Sequence, residues 1–221
     1  MSDQPFRPMA KDIPGQKLPY PAKQSEMNPP PADELRFYKA AGKLTGKRAL
    51  ITGGDSGIGR CVALAFAKEG ADVAIVYNVN DEDAIRTREL VEAEGRRCLL
   101  LKGDVRAKTD CERFVATTRA ELGGLNILVN NAHYQMAHGP FAEIPEDDLR
   151  RHFDTNILGY MFMAQAALPH LKSGDTIINT GSIVGLVGLD ILIPYTATKA
   201  ATHAFTKSLA LHLGDQNIRV N

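Results

Sequence analysis

The sequence predicts an α/β fold in which helices cover both faces of a parallel β-sheet. Short, nearly continuous apolar runs alternate with longer segments whose apolar residues recur every three or four positions. The apolar runs lack the strict alternation of a half-exposed strand, which indicates strands that are buried on both faces. Right-handed crossovers between such strands give a doubly wound sheet, whose ligands bind beyond the carboxyl ends of the strands.

The predicted elements follow one another from residue 48 to the end of the chain. Each strand is an apolar run, and each helix shows a spacing like that of Ile58, Val62 and Phe66. Strands are predicted at 48–52, 72–77, 97–102, 126–130, 175–180 and 217–221. Helices are predicted at 58–69, 82–94, 109–122, 146–171 and 194–213, the fourth continuing through Gly159. This order predicts a Rossmann-type domain.

The first 42 residues differ in composition from the rest. Eight of the twelve prolines lie between Pro5 and Pro31. Proline restricts the backbone and supports no regular core, so residues 1–42 are predicted to form an extended, proline-rich arm. The arm is either a tail or a strap across a neighbouring subunit. Residues 43–221 are long enough to form one domain with a substantial core.

Charge and composition exclude several classes of protein. The 26 basic and 26 acidic residues balance, so neither nucleic acid nor a membrane surface is an expected partner. No apolar stretch is long enough to span a bilayer, and the N-terminus lacks the apolar centre of a signal peptide. The six histidines show no metal-ligand spacing. Cys61, Cys98 and Cys111 form no C-x-x-C pair; Cys61 and Cys98 are expected to be buried thiols of a cytoplasmic protein.

A glycine-rich turn, T-G-G-D-S-G-I-G, follows the first strand and opens the first helix. Glycines let backbone N–H groups approach a pyrophosphate, and the N-terminus of the helix attracts the anion. A P-loop is excluded because no G-K-[ST] follows. The turn therefore predicts a dinucleotide site. Its expected cofactor-binding residues are Gly53, Asp55, Ser56, Gly57, Ile58 and Gly59.

The end of the second strand bears on the choice between NAD and NADP. An acidic residue there favours NAD, and a basic residue accommodates the 2′-phosphate of NADP. This chain has Tyr77 and Asn78, which are neither and are expected to contact the cofactor. Asp81, Glu82 and Asp83 follow and would repel an added phosphate within their reach. The sequence leans to NAD, with NADP as the alternative.

Tyr195 and Lys199 are four residues apart on the last predicted helix and therefore share one face. A neighbouring ammonium favours the phenolate, so we expect the pKa of Tyr195 to fall below its ordinary value of about 10. Such a phenol can exchange a proton with a substrate oxygen. A Y-x-x-x-K pair alone arises by chance in many helices, but together with the glycine turn it is specific.

Residues 43–221 resemble the short-chain dehydrogenase/reductase family. The T-G-x-x-x-G-I-G spacing is similar to that of its compact single-domain branch, and Asn130-Asn131-Ala132 to its N-N-A-G turn. The proline-rich arm further resembles a bacterial subgroup labelled glucose/ribitol-dehydrogenase-like or aldehyde-reductase-like. The resemblance adds cofactor-binding residues: Asp104 and Val105 at the adenine, and Asn131, Ala132, Tyr195 and Lys199.

The resemblance also implies a catalytic tetrad. Tyr195 would be the general acid/base, and Lys199 would lower its pKa and bind the nicotinamide ribose. Ser182 would hold and polarise the carbonyl, and Asn156 would anchor a water that relays protons to Lys199. Each residue alone has a structural alternative. Ser182 can shape a loop, Asn156 can bond to backbone inside a helix, and Lys199 can be a solvated surface charge.

This chain departs from the family pattern at two places. His133 stands where the family usually has glycine, and it either touches substrate or faces outward. The sequence ends at Asn221, before the family's proline-glycine loop, substrate-covering segment and last strand. We expect that the C-terminal strand and lid are missing because the sequence is part of a longer protein. The alternative is a truncated, poorly active product.

The leading hypothesis is an NAD(P)-dependent oxidoreductase that interconverts an alcohol and a carbonyl. The segment between Ser182 and Tyr195 is mostly apolar, which favours a small aldehyde, ketone or moderately apolar alcohol, although its Asp190 could contact a hydroxyl. One rival is a non-catalytic dinucleotide-binding or scaffold protein, and another is a lyase or isomerase on the same fold. The resemblance implies a homodimer or homotetramer built through the helices that carry Asn156 and Tyr195.

Overall fold

A computed structural model describes residues 11, 13–16 and 18–221 of the chain. Within them six parallel strands form one sheet in the order β3-β2-β1-β4-β5-β6. The strands are β1 (Arg48–Thr52), β2 (Asp72–Tyr77), β3 (Cys98–Lys102), β4 (Ile127–Asn130), β5 (Thr176–Asn179) and β6 (Arg219–Val220). The predicted doubly wound, Rossmann-type fold is confirmed.

The helices lie on both faces of this sheet. They are α1 (Gly57–Lys68), α2 (Asp81–Ala93), α3 (Lys108–Leu122), α4 (Glu146–Phe153), α5 (Gly159–Ala167), α6 (Val184–Val187) and α7 (Ile193–Leu213). Alternate residues of β1 serve the two faces. Ala49 and Ile51 pack with α1 and α2, whereas Leu50 packs with α3, α5 and α7. Because both faces are covered, the strands read as continuous apolar runs.

The helix predicted at 146–171 is interrupted. A π-helical turn, Asp154–Leu158, separates α4 from α5, and α5 ends at Ala167 before a 3₁₀ turn, Leu168–His170. Gly159 does not end the helix, as predicted. A Cβ at this position would lie 3.0 Å from Val105, so glycine allows the helix to approach the loop after β3 closely. The four-residue α6 lies in a segment predicted as loop.

The described part of the arm packs against its own chain. The buried Glu69, just beyond α1, accepts hydrogen bonds from the backbone N–H groups of Ala41 (3.1 Å) and Lys43 (2.7 Å) and from the hydroxyl of Tyr38. Of the predicted buried thiols, Cys98 is buried and Cys61 half-buried. Within the described ranges, no helix combines the length and apolar character needed to cross a membrane.

The carboxyl ends of β1 and β4 lie side by side at the centre of the sheet, where the strand order reverses. Crossovers run in opposite directions from this point and leave a crevice between them, which is the usual ligand position in open α/β sheets. The glycine turn follows β1, and Asn131 follows β4. The fold therefore brings these two segments to one place although about 80 residues separate them.

Candidate active site

The glycine turn between β1 and α1 has a backbone that few residues other than glycine adopt. Gly53 and Gly57 have φ values of +62° and +52°, both in the left-handed region. At Gly59 a Cβ would lie 1.9 Å from the carbonyl oxygen of Gly53, so only glycine lets α1 begin this close to the turn. A Cβ on Gly57 would meet no atom within 4 Å. A side chain at position 57 would therefore point into free space, and only the backbone conformation restricts this position to glycine.

Thr52 and Asn131 hold this turn against the segment after β4. The hydroxyl oxygen of Thr52 accepts hydrogen bonds from the backbone N–H groups of Asn131 (2.9 Å) and Ala132 (3.0 Å). In return, the amide of Asn131 donates to the carbonyl oxygens of Thr52 and Gly53, each at 3.1 Å. Sequence reasoning missed Thr52, whose signal was its place directly before the first glycine of the motif.

A cleft of about 510 Å³, part of it continuous with solvent, lies beyond the carboxyl ends of the strands. The predicted cofactor residues that line it are Gly53, Asp55, Tyr77, Asn78, Asp104, Val105 and Ala132. The other predicted residues adjoin the cleft: Ser56 precedes α1, Asn131 follows β4, and the first turn of α1 holds Gly57, Ile58 and Gly59. The side chain of Ile58 is exposed. A glycine turn and a helix N-terminus beside this cleft fit the pyrophosphate and adenosine of a dinucleotide.

The acidic residues after β2 do not present free charge to this cleft. Each carboxylate is within 3.1 Å of a cationic side chain. The pairs are Asp81 with Lys102 (2.6 Å), Glu82 with Lys23 (3.1 Å) and Asp83 with Arg60 (2.9 Å). Asp81 also accepts a hydrogen bond from the hydroxyl of Tyr77 at 2.9 Å. The repulsion of a 2′-phosphate expected from the sequence is therefore largely compensated.

Tyr195, the predicted general acid/base, lies near the start of α7 and is 8% exposed. Burial raises its pKa, and the hydrogen bond with the Ser182 side chain opposes that effect only in part. In the protein by itself the pKa of Tyr195 therefore lies above its ordinary value, opposite to the direction expected from the sequence. The Nζ atom of Lys199 is 5.5 Å from the centroid of the Tyr195 ring and donates instead to the backbone oxygen of Thr180 at 2.6 Å.

Lys199 is fully buried, which rules out the alternative of a solvated surface charge. Its Nζ atom is also 5.5 Å from the centroid of the Tyr160 ring. Desolvation lowers the pKa of Lys199 to about 8. Near neutral pH, this ammonium can therefore lose its proton more readily than an ordinary lysine.

We predict that Lys199 makes the stability of the protein depend on pH. Between about pH 8 and 10.5 the unfolded chain binds a proton on Lys199 that the folded chain has released, so stability rises with pH in this window. Relative to Lys199→Met, the wild type should gain about 3 kcal/mol in the free energy of unfolding across it. Urea unfolding at several pH values measures this difference. Lys207→Met, at an exposed position on α7, is the control. A difference independent of pH would contradict the prediction.

Asn156 is fully buried in the π-helical turn between α4 and α5. Its Oδ1 accepts a hydrogen bond from the backbone N–H of Tyr134 at 2.7 Å, and its Nδ2 donates to Tyr134 O and to Thr198 Oγ1, each at 2.9 Å. Both amide hydrogens are thus bonded to protein groups. Asn156 joins the segment after β4 to α7, one turn of which carries Lys199. π-Helical turns of this kind are frequent at functional sites.

His133 faces the cleft and lines it. Its ring centroid is 6.2 Å from that of Tyr195, and its Nδ1 atom is 3.1 Å from the backbone oxygen of Asn131. Desolvation by the cleft walls and, less strongly, the charge of Lys199 lower its pKa. The structure therefore brings His133, on the wall of the cleft, close to Tyr195. No group of three or more His, Cys, Asp or Glu residues in the described part of the chain is arranged to hold a metal ion.

Comparisons with known proteins find relatives that are similar over most of this chain. General stress protein 39 of Bacillus subtilis is 50% identical over 212 residues, which are 96% of this chain and 74% of that protein. Glucose and ribitol dehydrogenase of Daucus carota is 42% identical over 207 residues, covering 91% of this chain and 71% of that protein.

A solved structure shows the same architecture. A short chain dehydrogenase from Burkholderia cenocepacia J2315, crystallised in complex with NADP, superposes with a TM-score of 0.78 at 38% identity. The match covers 81% of this chain and 73% of that one. The family model described as short chain dehydrogenase matches residues 47–221. The chain therefore belongs to the short chain dehydrogenase family and is an NAD(P)-dependent oxidoreductase that acts on alcohol or carbonyl groups.

Proposed function

We propose that this protein interconverts a small aldehyde or ketone and its alcohol, with Tyr195 as general acid/base. The observation that carries the proposal is the convergence of Tyr195, Ser182 and Lys199 close to His133, which lines a cleft whose other walls suit a dinucleotide. In a complex with the cofactor, the hydride for the substrate carbon would come from NAD(P)H. We assign the proton transfer, the polarisation of the carbonyl and the binding of both reactants to residues of this chain.

Ser182 and Tyr195 act on the substrate oxygen. The hydroxyl of Ser182 donates a hydrogen bond that polarises the carbonyl, and Tyr195 delivers its proton to the same oxygen as the alcohol forms. In the opposite direction the Tyr195 phenolate accepts that proton. Because burial raises the pKa of free Tyr195, the phenolate needs a stabilising charge close by. The Lys199 ammonium, about 5.5 Å from the ring, is the group placed to provide it.

The remaining predicted residues hold the reactants. We assign the pyrophosphate to the turn of Gly53, Gly57 and Gly59, and the adenosine to the end of the cleft formed by Asp104 and Val105. Ser56, Ile58, Asn131 and Ala132 complete the turn walls, and Lys199 binds the nicotinamide ribose. Asn156 supports α7 through Thr198 and, on the family pattern, anchors a proton-relaying water.

The segment that precedes Tyr195 supports a substrate of limited polarity. Its apolar side chains are 40% or more exposed beside the site: Ile183, Leu186, Val187, Leu189, Ile191 and Ile193. Such surface favours a small aldehyde, ketone or moderately apolar alcohol over a sugar. A screen of carbonyls and alcohols, followed by nicotinamide absorbance, tests the proposal. Cofactor binding with no turnover of any substrate would favour the non-catalytic alternative. Formation of product at constant nicotinamide absorbance would favour a lyase or isomerase.

We further propose that the protein forms a homodimer or homotetramer through the helices on one side of the sheet. On these helices and the π-helical turn between them, Phe153, Leu158 and Leu211 are 43%, 39% and 85% exposed and offer apolar surface to a second copy of the chain. Light scattering coupled to gel filtration measures the oligomeric state, and a monomer at working concentration would overturn this.

We predict that NADH binds more tightly than NADPH. Near the end of β2, the cations Lys23 and Lys102 are already paired with Glu82 and Asp81, so a 2′-phosphate would have to break such a pair. Titration of the protein with both nucleotides, followed by cofactor fluorescence, measures the two dissociation constants. Tighter NADPH binding, as the NADP complex of the Burkholderia cenocepacia relative suggests, would show that one of these pairs opens.

A further inference from the structure

The proline-rich arm passes along the rim of the dinucleotide cleft, and it lies outside the region that the family model matches. Tyr20 is one of the residues that line the cleft. Its ring meets that of Tyr134 edge to face, 5.3 Å between centroids, and the Arg151 guanidinium lies 5.1 Å from the ring. Two residues further on, the backbone oxygen of Ala22 accepts a hydrogen bond from the side chain of Asn80 after β2 (3.3 Å).

Gln24 fastens the arm to the glycine turn. Its side chain is polar, yet the residue is only 5% exposed. The Oε1 atom accepts a hydrogen bond from the backbone N–H of Gly57 at 2.7 Å, directly at the N-terminus of α1. The Nε2 atom donates to Asp33, and the backbone N–H donates to Asp83 at the start of α2 (3.1 Å). One residue of the arm thus bridges the two helices that flank the turn.

The buried side chain of Arg60 also links the arm, α2 and the glycine turn. It is 3% exposed and pairs with Asp33 of the arm (2.8 Å) and Asp83 of α2 (2.9 Å). It also donates to the backbone oxygen of Asp55 in the glycine turn, at 2.7 Å from Nη2. A buried cation with two carboxylates is stable only while every partner stays in place. Undocking the arm would remove Asp33 and Gln24 and leave the turn with fewer constraints.

We propose that the arm segment from Tyr20 to Gln24 is a working part of the dinucleotide site. Gln24 is a positioning residue that fixes the glycine turn through the N–H of Gly57, and Tyr20 forms the outer wall of the cleft at its adenosine end. The proposal rests on the proposed cofactor site. Because a turn that is already ordered binds an anion without a further ordering cost, we expect the arm to act on the affinity for the cofactor.

The first test is Gln24→Ala, with Gln16→Ala as the matched control. Gln16 belongs to the same arm, is exposed, and makes its hydrogen bonds to the backbone of Asn28. We expect the NADH dissociation constant of Gln24→Ala to rise about tenfold, and its cofactor KM to rise by more than its kcat falls. Gln16→Ala should match the wild type. An unchanged dissociation constant in folded Gln24→Ala, with only the melting temperature lowered, would overturn the positioning role.

The second test does not depend on the buried contacts. Tyr20 is 50% exposed, so Tyr20→Ala should fold even if Gln24→Ala does not. We expect weaker NADH binding in Tyr20→Ala and recovery of most of the affinity in Tyr20→Phe, which keeps the ring. Wild-type affinity for NADH in Tyr20→Ala would show that Tyr20 does not contribute to the cofactor site. If the wild type itself binds neither nucleotide, the proposed function fails; if only these variants behave as wild type, the arm proposal alone fails.

Discussion

Tyr195→Phe should lower kcat by about 10²–10⁴-fold while leaving cofactor affinity within a few-fold of the wild type. This is the usual contribution of a positioned general acid/base, and phenylalanine removes the only proton that Tyr195 can give. The aromatic ring of residue 195 is retained.

Single-turnover and steady-state rates, with NADH binding measured in parallel, test this expectation. Tyr160→Phe is the matched control, because its ring lies at the same 5.5 Å from Lys199 Nζ and its hydroxyl makes no hydrogen bond among the described residues. A kcat for Tyr195→Phe within a few-fold of the wild type would contradict the assignment of Tyr195 as general acid/base. An equal loss in Tyr160→Phe would point to disturbance around Lys199 instead.

Gly59→Ala should abolish measurable cofactor binding and lower the free energy of unfolding by about 3 kcal/mol. The added Cβ would lie 1.9 Å from Gly53 O and 2.8 Å from the Asn131 amide nitrogen. The first of these is backbone, so relief requires the start of α1 to move away from β1. Overpacking of this kind commonly costs 1–3 kcal/mol, and here it also opens the turn that receives the pyrophosphate.

Calorimetric titration with NADH and urea unfolding of the same preparation separate the two effects. Gly214→Ala is the control, since a Cβ there meets nothing within 4 Å and its φ is −56°. Wild-type cofactor affinity in Gly59→Ala would mean that the close approach of α1 to the turn is not needed for binding.

The features that could be predicted from the sequence are those with a local signal. β1 and β2 have the predicted bounds, because each is an unbroken apolar run that ends at turn residues. The glycine turn was readable because Gly53, Gly57 and Gly59 obey steric rules that act within a few residues. α4 and α5 were predicted as one helix, since a π-helical turn keeps nearly the same apolar spacing and leaves no breaker in the sequence.

The features that escaped prediction depend on contacts between distant segments. No local sequence pattern indicates that Gln24 bonds to Gly57 or that Asp33 pairs with Arg60. The raised pKa of Tyr195 follows from burial, which the spacing of Tyr195 and Lys199 does not report. The assignments of catalytic and cofactor-binding roles, and of the domain bounds 1–42 and 43–221, stay predictions until the variants are measured.

The hydrogen bonds between Thr52 and Asn131 couple cofactor binding to the stability of the folded chain. They form only when β1 and β4 have paired, so a nucleotide can bind only a chain whose central strands are already assembled. By mass action, each tenfold excess of cofactor over its dissociation constant adds about 1.4 kcal/mol to the stability of that assembled state. Cofactor concentration would then help to set how much of the protein survives heat or proteolysis, even when no substrate is present.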